Sequence, residues 1–182
     1  MLWEKGVGEF VEAVRLLRRW GAGVHARLVG QPDPDNPRSI DAAQLRAWDA
    51  EGIVRWEGYC DDIPSVWAAS HVAVLPSYSR EGLPKALMEA AACGRPIVTT
   101  DLPGCRGAVV PGKSGLLVPP RDPVALAEAL QRLIDDPQRR RDMGQRARRD
   151  AEERFSDHKI NTRILNICDE LLKGRQVRYP VQ

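Results

Sequence analysis

Between residues 6 and 20 the apolar side chains Val7, Phe10, Val11, Val14 and Leu17 recur at helical spacing with charges between them, which predicts an amphipathic helix. Met1-Leu2-Trp3, just before it, reads as the last part of a strand whose beginning is absent. The run 24–30 is strand-like, ends in Gly30 and gives way to a loop rich in Pro and Asp over 31–38. A helical stretch over 39–50 leads to a strand over 53–57, and Asp61 or Asp62 is placed to cap a short helix that runs through Ala69.

Val72-Ala73-Val74-Leu75 is wholly apolar, as suits a central strand covered on both faces. Residues 84–93 predict a helix with Pro84 in its first turn and Gly94 at its end, followed by a strand over 96–99. The segment 101–115 is loop with one helical turn over 105–110, and Leu116-Leu117-Val118 is a short last strand. From Asp122 onward the pattern is helical, broken near Pro137 and Ser156. Five strands alternating with helices imply a parallel sheet with right-handed crossovers. The expected fold is α/β, a Rossmann-like parallel sheet with helices on both faces over residues 1–155, then a helix over 156–173 and a flexible tail over 174–182.

Composition narrows the function classes. The chain has 182 residues, enough for one domain of this kind, and 27 Lys plus Arg against 25 Asp plus Glu leave a net charge of +2, so no global field favours nucleic acid. Cys60, Cys93, Cys105 and Cys168 lack a Cys-x-x-Cys spacing and are expected to be thiols in a reducing cytosol. His25, His71 and His158 lie far apart in sequence, outside any metal-ligand pattern, so no metal is expected. No apolar run approaches the roughly 20 residues that span a bilayer.

In an open parallel sheet, ligands bind beyond the carboxyl ends of the strands, which directs attention to the loops after Trp3, Glu57, Leu75 and Thr99. The richest is the run from Pro76 to Pro84. Glu81 stands in this loop and Glu89 in the helix after it, so the two carboxylates are set to reach different parts of one extended ligand. Between them, free N–H groups at Gly82 and Leu83 and the positive end of the helix dipole suit a phosphate. Pro84 loses nothing at the helix start, where its missing N–H had no partner. Carboxylates beside a phosphate site serve hydroxyls, which points to a sugar at one end and a ribose at the other. Tyr59, in the loop after Glu57, is a further donor-binding candidate.

Trp56-Glu57-Gly58, Leu75-Pro76-Ser77, Glu81-Gly82-Leu83-Pro84, Met88-Glu89-Ala90, Ala92-Cys93-Gly94-Arg95-Pro96-Ile97-Val98 and Gly115-Leu116-Leu117-Val118-Pro119 together resemble family 4 glycosyltransferases of the GT-B fold. The resemblance covers nearly the whole chain, and its most specific element is the glutamate pair with seven residues between. It implies a retaining, metal-free transfer of a hexose from a nucleotide diphosphate sugar to a glycan or lipid-linked acceptor, with no cofactor and UDP as the expected nucleotide. By the same resemblance Glu81 contacts the donor sugar, Glu89 the ribose, and Lys5 neutralises the departing diphosphate. Gly107 departs from the family loop, which carries Glu there after Gly104-Cys105-Arg106. The acceptor domain that the family places before this one is absent from the chain, and the isolated chain is expected to bind donor weakly and catalyse little.

Other readings stand beside these. Glu81, Glu89 and Lys5 are also residue types that usually face solvent. A non-catalytic nucleotide-sugar-binding or scaffold module is the alternative function, and a nucleotide-sugar epimerase a further one that the glutamate pair argues against. The arginines from 139 to 154 are expected to form ion pairs along a solvated helix; the functional alternative is a peripheral contact with anionic lipid at the inner membrane face. The apolar face of the helix over 156–172 is expected to brace the absent domain and to be exposed here.

Overall fold

The computed structural model describes residues 1–173; the tail expected over 174–182 lies outside them. The chain runs α1 (Val7–Arg19), β1 (Arg27–Leu28), α2 (Ala42–Ala50), β2 (Arg55–Trp56), α3 (Ile63–Ala68), β3 (Ala73–Leu75), α4 (Lys85–Ala92), β4 (Ile97–Thr100), α5 (Pro103–Arg106), β5 (Gly115–Val118), α6 (Pro123–Asp135), α7 (Pro137–Arg154) and α8 (Asp157–Leu172). The α/β alternation and the parallel pairing match the expectation. The continuity of the sheet does not: β1 pairs with β2 in one ladder, and β3, β4 and β5 form another in that order.

Two corrections follow from where backbone partners are available. Met1-Leu2-Trp3 is not the end of a strand. Leu2 makes a single antiparallel bridge to Ser39, Trp3 N–H donates to Arg38 O, and Trp3–Lys5 closes a 3-10 turn. The runs 24–30 and 53–57 each contribute only two strand residues, with flanking bonds such as Glu57 N–H to Leu28 O. Several helix boundaries sharpen. Asp41 caps α2 through the N–H of Gln44, Asp62 rather than Asp61 caps α3 through Ser65, and the helical turn of the 101–115 segment is Pro103–Arg106.

All four residues of β4, the middle strand of the three, are buried although Thr99 and Thr100 are polar, whereas the apolar run expected at the sheet centre forms β3, at the end of that ladder, with only Ala73 buried. Successive strand residues face opposite sides. Val98 joins Ala13 and Leu17 of α1 and Leu126, Leu130 and Leu133 of α6, whereas Ile97 joins Leu87, Ala90 and Ala91 of α4 and Ala147 and Ala151 of α7. Helices therefore cover both faces of the three-stranded ladder. A separate core gathers Val7 and Val11 with Leu28, Ile40, Leu45, Trp48 and Val54 around the two-stranded one. Leu87 is buried, while Trp67 and Met88 are only partly so. No residue of α8 is buried; Ile160, Ile164, Leu165, Leu171 and Leu172 are all exposed.

Candidate functional site at the carboxyl end of β3

The loop that leaves β3 meets the amino-terminal segment, and the two hold each other through main-chain and side-chain contacts. Tyr78 N–H donates to Glu4 O at 2.9 Å. Gly6 has φ +76, and a Cβ there would lie 2.1 Å from Pro76 O, so only glycine permits this approach of the two loops. Lys5 is carried one residue before that contact, and its ammonium forms an ion pair with Oε2 of Glu81. The pair is part-exposed, at 34% for the lysine side chain and 21% for the glutamate.

The other carboxylate oxygen of Glu81 is held by Ser77, whose Oγ lies 2.8 Å from Oε1 and also 3.1 Å from Glu4 O. Ser77 is fully buried, and Thr100 Oγ1 donates to its carbonyl at 2.5 Å. Glu81 is thus fixed from beneath by Ser77 and from the side by Lys5. The motif Leu75-Pro76-Ser77 contained this support, but its spacing alone gave no signal that the serine would face Glu81. The buried threonine at the end of β4 had no sequence signal beyond its place in a buried strand.

Gly82 is exposed, and the N–H groups of Gly82, Leu83, Lys85 and Ala86 make no hydrogen bond within the described residues. Pro84 is the N-cap of α4 rather than a first-turn residue, with φ −67 and ψ 125. An N-cap N–H also has no intrahelical partner, so proline loses nothing at this position. The start of α4 therefore offers unpaired donors beside the Lys5–Glu81 pair, the arrangement that favours an anion. From the far side Gly104 of α5 presses on this loop. A Cβ on it would lie 2.2 Å from Glu81 O and 2.4 Å from Gly82 O.

Glu89 lies about one turn into α4, half-buried, with Lys85 Nζ at 3.4 Å from its carboxylate. Tyr59 is not part of the Lys5–Ser77–Glu81 group: it sits beyond β2, is 67% exposed, and its phenol is raised in pKa by a hydrogen bond to Asp61. Nearby, Arg27 grips Glu57 with two bonds of 2.8 and 2.6 Å, which holds the Glu57 carboxyl below its ordinary range. Arg121, the one non-glycine residue at positive φ among those described, stacks its guanidinium 4.3 Å from the Tyr78 ring centroid. No three His, Cys, Asp or Glu side chains among the described residues gather as a metal cluster, and no described helix is long and apolar enough to cross a membrane.

Residues 1–136 match the family model described as glycosyl transferases group 1. Among curated proteins, an N,N'-diacetylbacillosaminyl-diphospho-undecaprenol alpha-1,3-N-acetylgalactosaminyltransferase of Campylobacter jejuni is 33% identical over 95% of this chain and 43% of its own length. Among solved structures, Anabaena Alr3699/HepE in complex with UDP superposes with a TM-score of 0.82 at 25% identity, over 92% of this chain and 46% of that one. The C-terminal domain of a glycosyl transferase group 1 family protein (LpcC) from Francisella tularensis shares the fold, with a TM-score of 0.72 at 22% identity, over 86% of this chain and 83% of that one. The chain spans less than half the length of the Campylobacter and Anabaena proteins. It belongs to the glycosyl transferases group 1 family, as a domain of the GT-B fold.

Proposed function

We propose that this domain binds the nucleotide-sugar donor of a retaining hexosyltransferase, with UDP as the nucleotide and a glycan or lipid-linked saccharide as the acceptor, and that it needs neither metal nor cofactor. The observation that carries the reading is the pairing of Lys5 with Glu81 next to the unpaired N–H groups at the start of α4. In it, the diphosphate takes Lys5 and the N–H groups of Gly82 and Leu83, beside Pro84. Glu81 receives hydroxyls of the sugar, and Glu89, a turn into α4, receives the ribose. Tyr59, exposed beyond β2 and outside the Lys5–Ser77–Glu81 group, is kept only as a donor-binding candidate.

Stabilising the departing diphosphate is the step to which these groups contribute most, because Lys5 and oriented N–H dipoles act where charge develops. The UDP complex of HepE and the undecaprenol-linked substrate in the name of the Campylobacter relative support the donor and acceptor classes. A lipid-linked acceptor would bring the enzyme to the cytoplasmic face of a membrane. Titration calorimetry with UDP, GDP and ADP tests the reading, repeated on Glu89→Ala and Lys5→Ala. Saturable binding of one nucleotide, weakened by both substitutions, is expected; no binding at millimolar ligand overturns it.

A second reading is a donor-binding module without turnover of its own, since Lys5, Glu81 and the free N–H groups at the start of α4 are groups that bind and orient a ligand. It predicts nucleotide binding with no transfer from any UDP-hexose to water or to a saccharide acceptor. The isolated chain is expected to behave in this way, and robust transfer by it would remove this second reading.

A further inference from the structure

Five arginines converge at the end of the sheet opposite the candidate donor site. Arg95 precedes β4, His71 precedes β3, and Arg140, Arg141, Arg148 and Arg149 come from α7; together they line an open pocket of about 670 Å³. No Asp or Glu lines it. Glu152, bonded to Arg148 at 2.6 Å, is the one carboxylate that pairs with any of the five among the described residues. The chain as a whole carries a net charge of only +2, so this is a local excess rather than a general basic surface.

Three of the five are held by main-chain carbonyls at helix ends. Arg95 donates to Ser70 O at 2.8 Å and Cys93 O at 3.1 Å, Arg140 to Leu133 O at 2.7 Å, and Arg148 to Ala92 O. Those bonds account for their presence and leave other N–H groups of each guanidinium unoccupied. Helix capping does not account for Arg141, which reaches only Gln138, or for Arg149, whose side chain has no partner among the described residues. Both are exposed at the mouth of the pocket. Five like charges gathered with Glu152 as their one paired counter-charge among the described residues repel one another, and an anion that accepts bidentate bonds relieves that repulsion.

We propose that this pocket binds a phosphate-bearing anion, at a site separate from the donor site, with Arg95, Arg140 and Arg148 as a pre-set floor and Arg141 and Arg149 closing over it. The shared chemistry is the phosphate group, carried either by a soluble compound or by a lipid headgroup. The proposal does not depend on the donor reading, because none of these side chains touches Lys5, Glu81 or Glu89.

The test uses the whole chain and Arg141→Gln/Arg149→Gln, which leaves the helix-capping arginines intact. Nitrogen–proton correlation spectra are titrated with inorganic pyrophosphate, and flotation is measured with phosphatidylcholine vesicles with and without phosphatidylglycerol. Saturable shifts at the amides of Gly94, Arg95 and Gln145, with a Kd raised about tenfold or more in the double variant, establish a soluble phosphate ligand. Flotation that needs phosphatidylglycerol and is lost in the double variant establishes the headgroup instead. The absence of both, or binding that the double variant leaves unchanged, overturns the proposal. Shifts confined to Gly82 and Leu83 report the donor site alone and also overturn it.

Discussion

Replacing Glu81 with Gln is expected to tighten UDP binding while loosening the grip on a sugar attached to it. In the unliganded chain the Lys5 ammonium is paired with Glu81 Oε2, so a diphosphate must compete with a carboxylate for that cation. Gln keeps the shape and still accepts the Ser77 hydroxyl, which now lies 2.8 Å from Oε1. The loss is therefore of charge rather than of packing. An ion pair as exposed as this one contributes about 0.5–1 kcal/mol, so freeing Lys5 should improve UDP affinity roughly twofold to fivefold. Removing a negative charge beside the diphosphate acts in the same direction.

The assay is calorimetry of the chain and of Glu81→Gln with UDP at low and at 0.5 M salt, where screening should shrink the difference. Lys5→Ala is the reference, expected to weaken UDP about tenfold or more through loss of a charge-assisted bond. Weaker UDP binding by Glu81→Gln would refute the reasoning, since it would mean that Lys5 and Glu81 do not compete around the diphosphate.

Gly104→Ala should lower both stability and UDP affinity, because its Cβ would meet the Glu81 and Gly82 carbonyls and force the loop to move; a cost of about 1–3 kcal/mol is expected, read by chemical denaturation. Gly6→Ala adds strain at a positive φ to a clash with Pro76 O and should cost more than about 2 kcal/mol, with a fall in Tm as the readout. Ser77→Ala removes the hydroxyl that supports Glu81; a loss of about 1 kcal/mol in stability is expected, together with a smaller difference between UDP and UDP-sugar affinity. Glu57→Gln should cost about 0.5–1.5 kcal/mol near neutral pH. Since Arg27 holds the folded-state pKa of Glu57 below its unfolded value, that contribution is complete above the unfolded pKa and is lost as pH falls through the folded one. Urea denaturation should therefore find the two proteins converging as pH drops below about 4.

Where hydrophobic periodicity decides structure, the sequence was an adequate guide. Val7, Val11, Val14 and Leu17 mark the buried stripe of α1, and Ile97 and Val98, within the strand expected over 96–99, are buried on opposite faces of β4. The failures sit where pairing partners rather than side chains decide. Val24 to Gly30 has the composition of a seven-residue strand, but among the described residues its only ladder neighbour is β2, with just Arg27 and Leu28 in register. Met1 to Trp3 is apolar enough for a strand, yet its hydrogen bonds run to residues 38–40 and it turns into a 3-10 segment at once.

The candidate site divides in the same way. Glu81 and the helix start were singled out by the glutamate spacing and the strand-end loop, and Lys5 by the family resemblance; the fold brings Lys5 and Glu81 together, with Glu89 further along α4 beside Lys85. Ser77, Thr100 and Gly104 were not assigned roles, although each constrains the backbone or carboxylate of that site. Their contribution is to remove alternatives: a buried hydroxyl fixes one rotamer of Glu81, and a missing Cβ admits one path of the loop. Such residues bear no chemistry of their own, so a sequence pattern tuned to charges passes over them. The arginines of α7 show the converse. Read along the helix they are a solvated, ion-paired face, and Arg148 with Glu152, both exposed, fits that reading at 2.6 Å. Only the fold brings Arg95 to meet Arg140, Arg141, Arg148 and Arg149, and only then does a local excess of positive charge become a pocket.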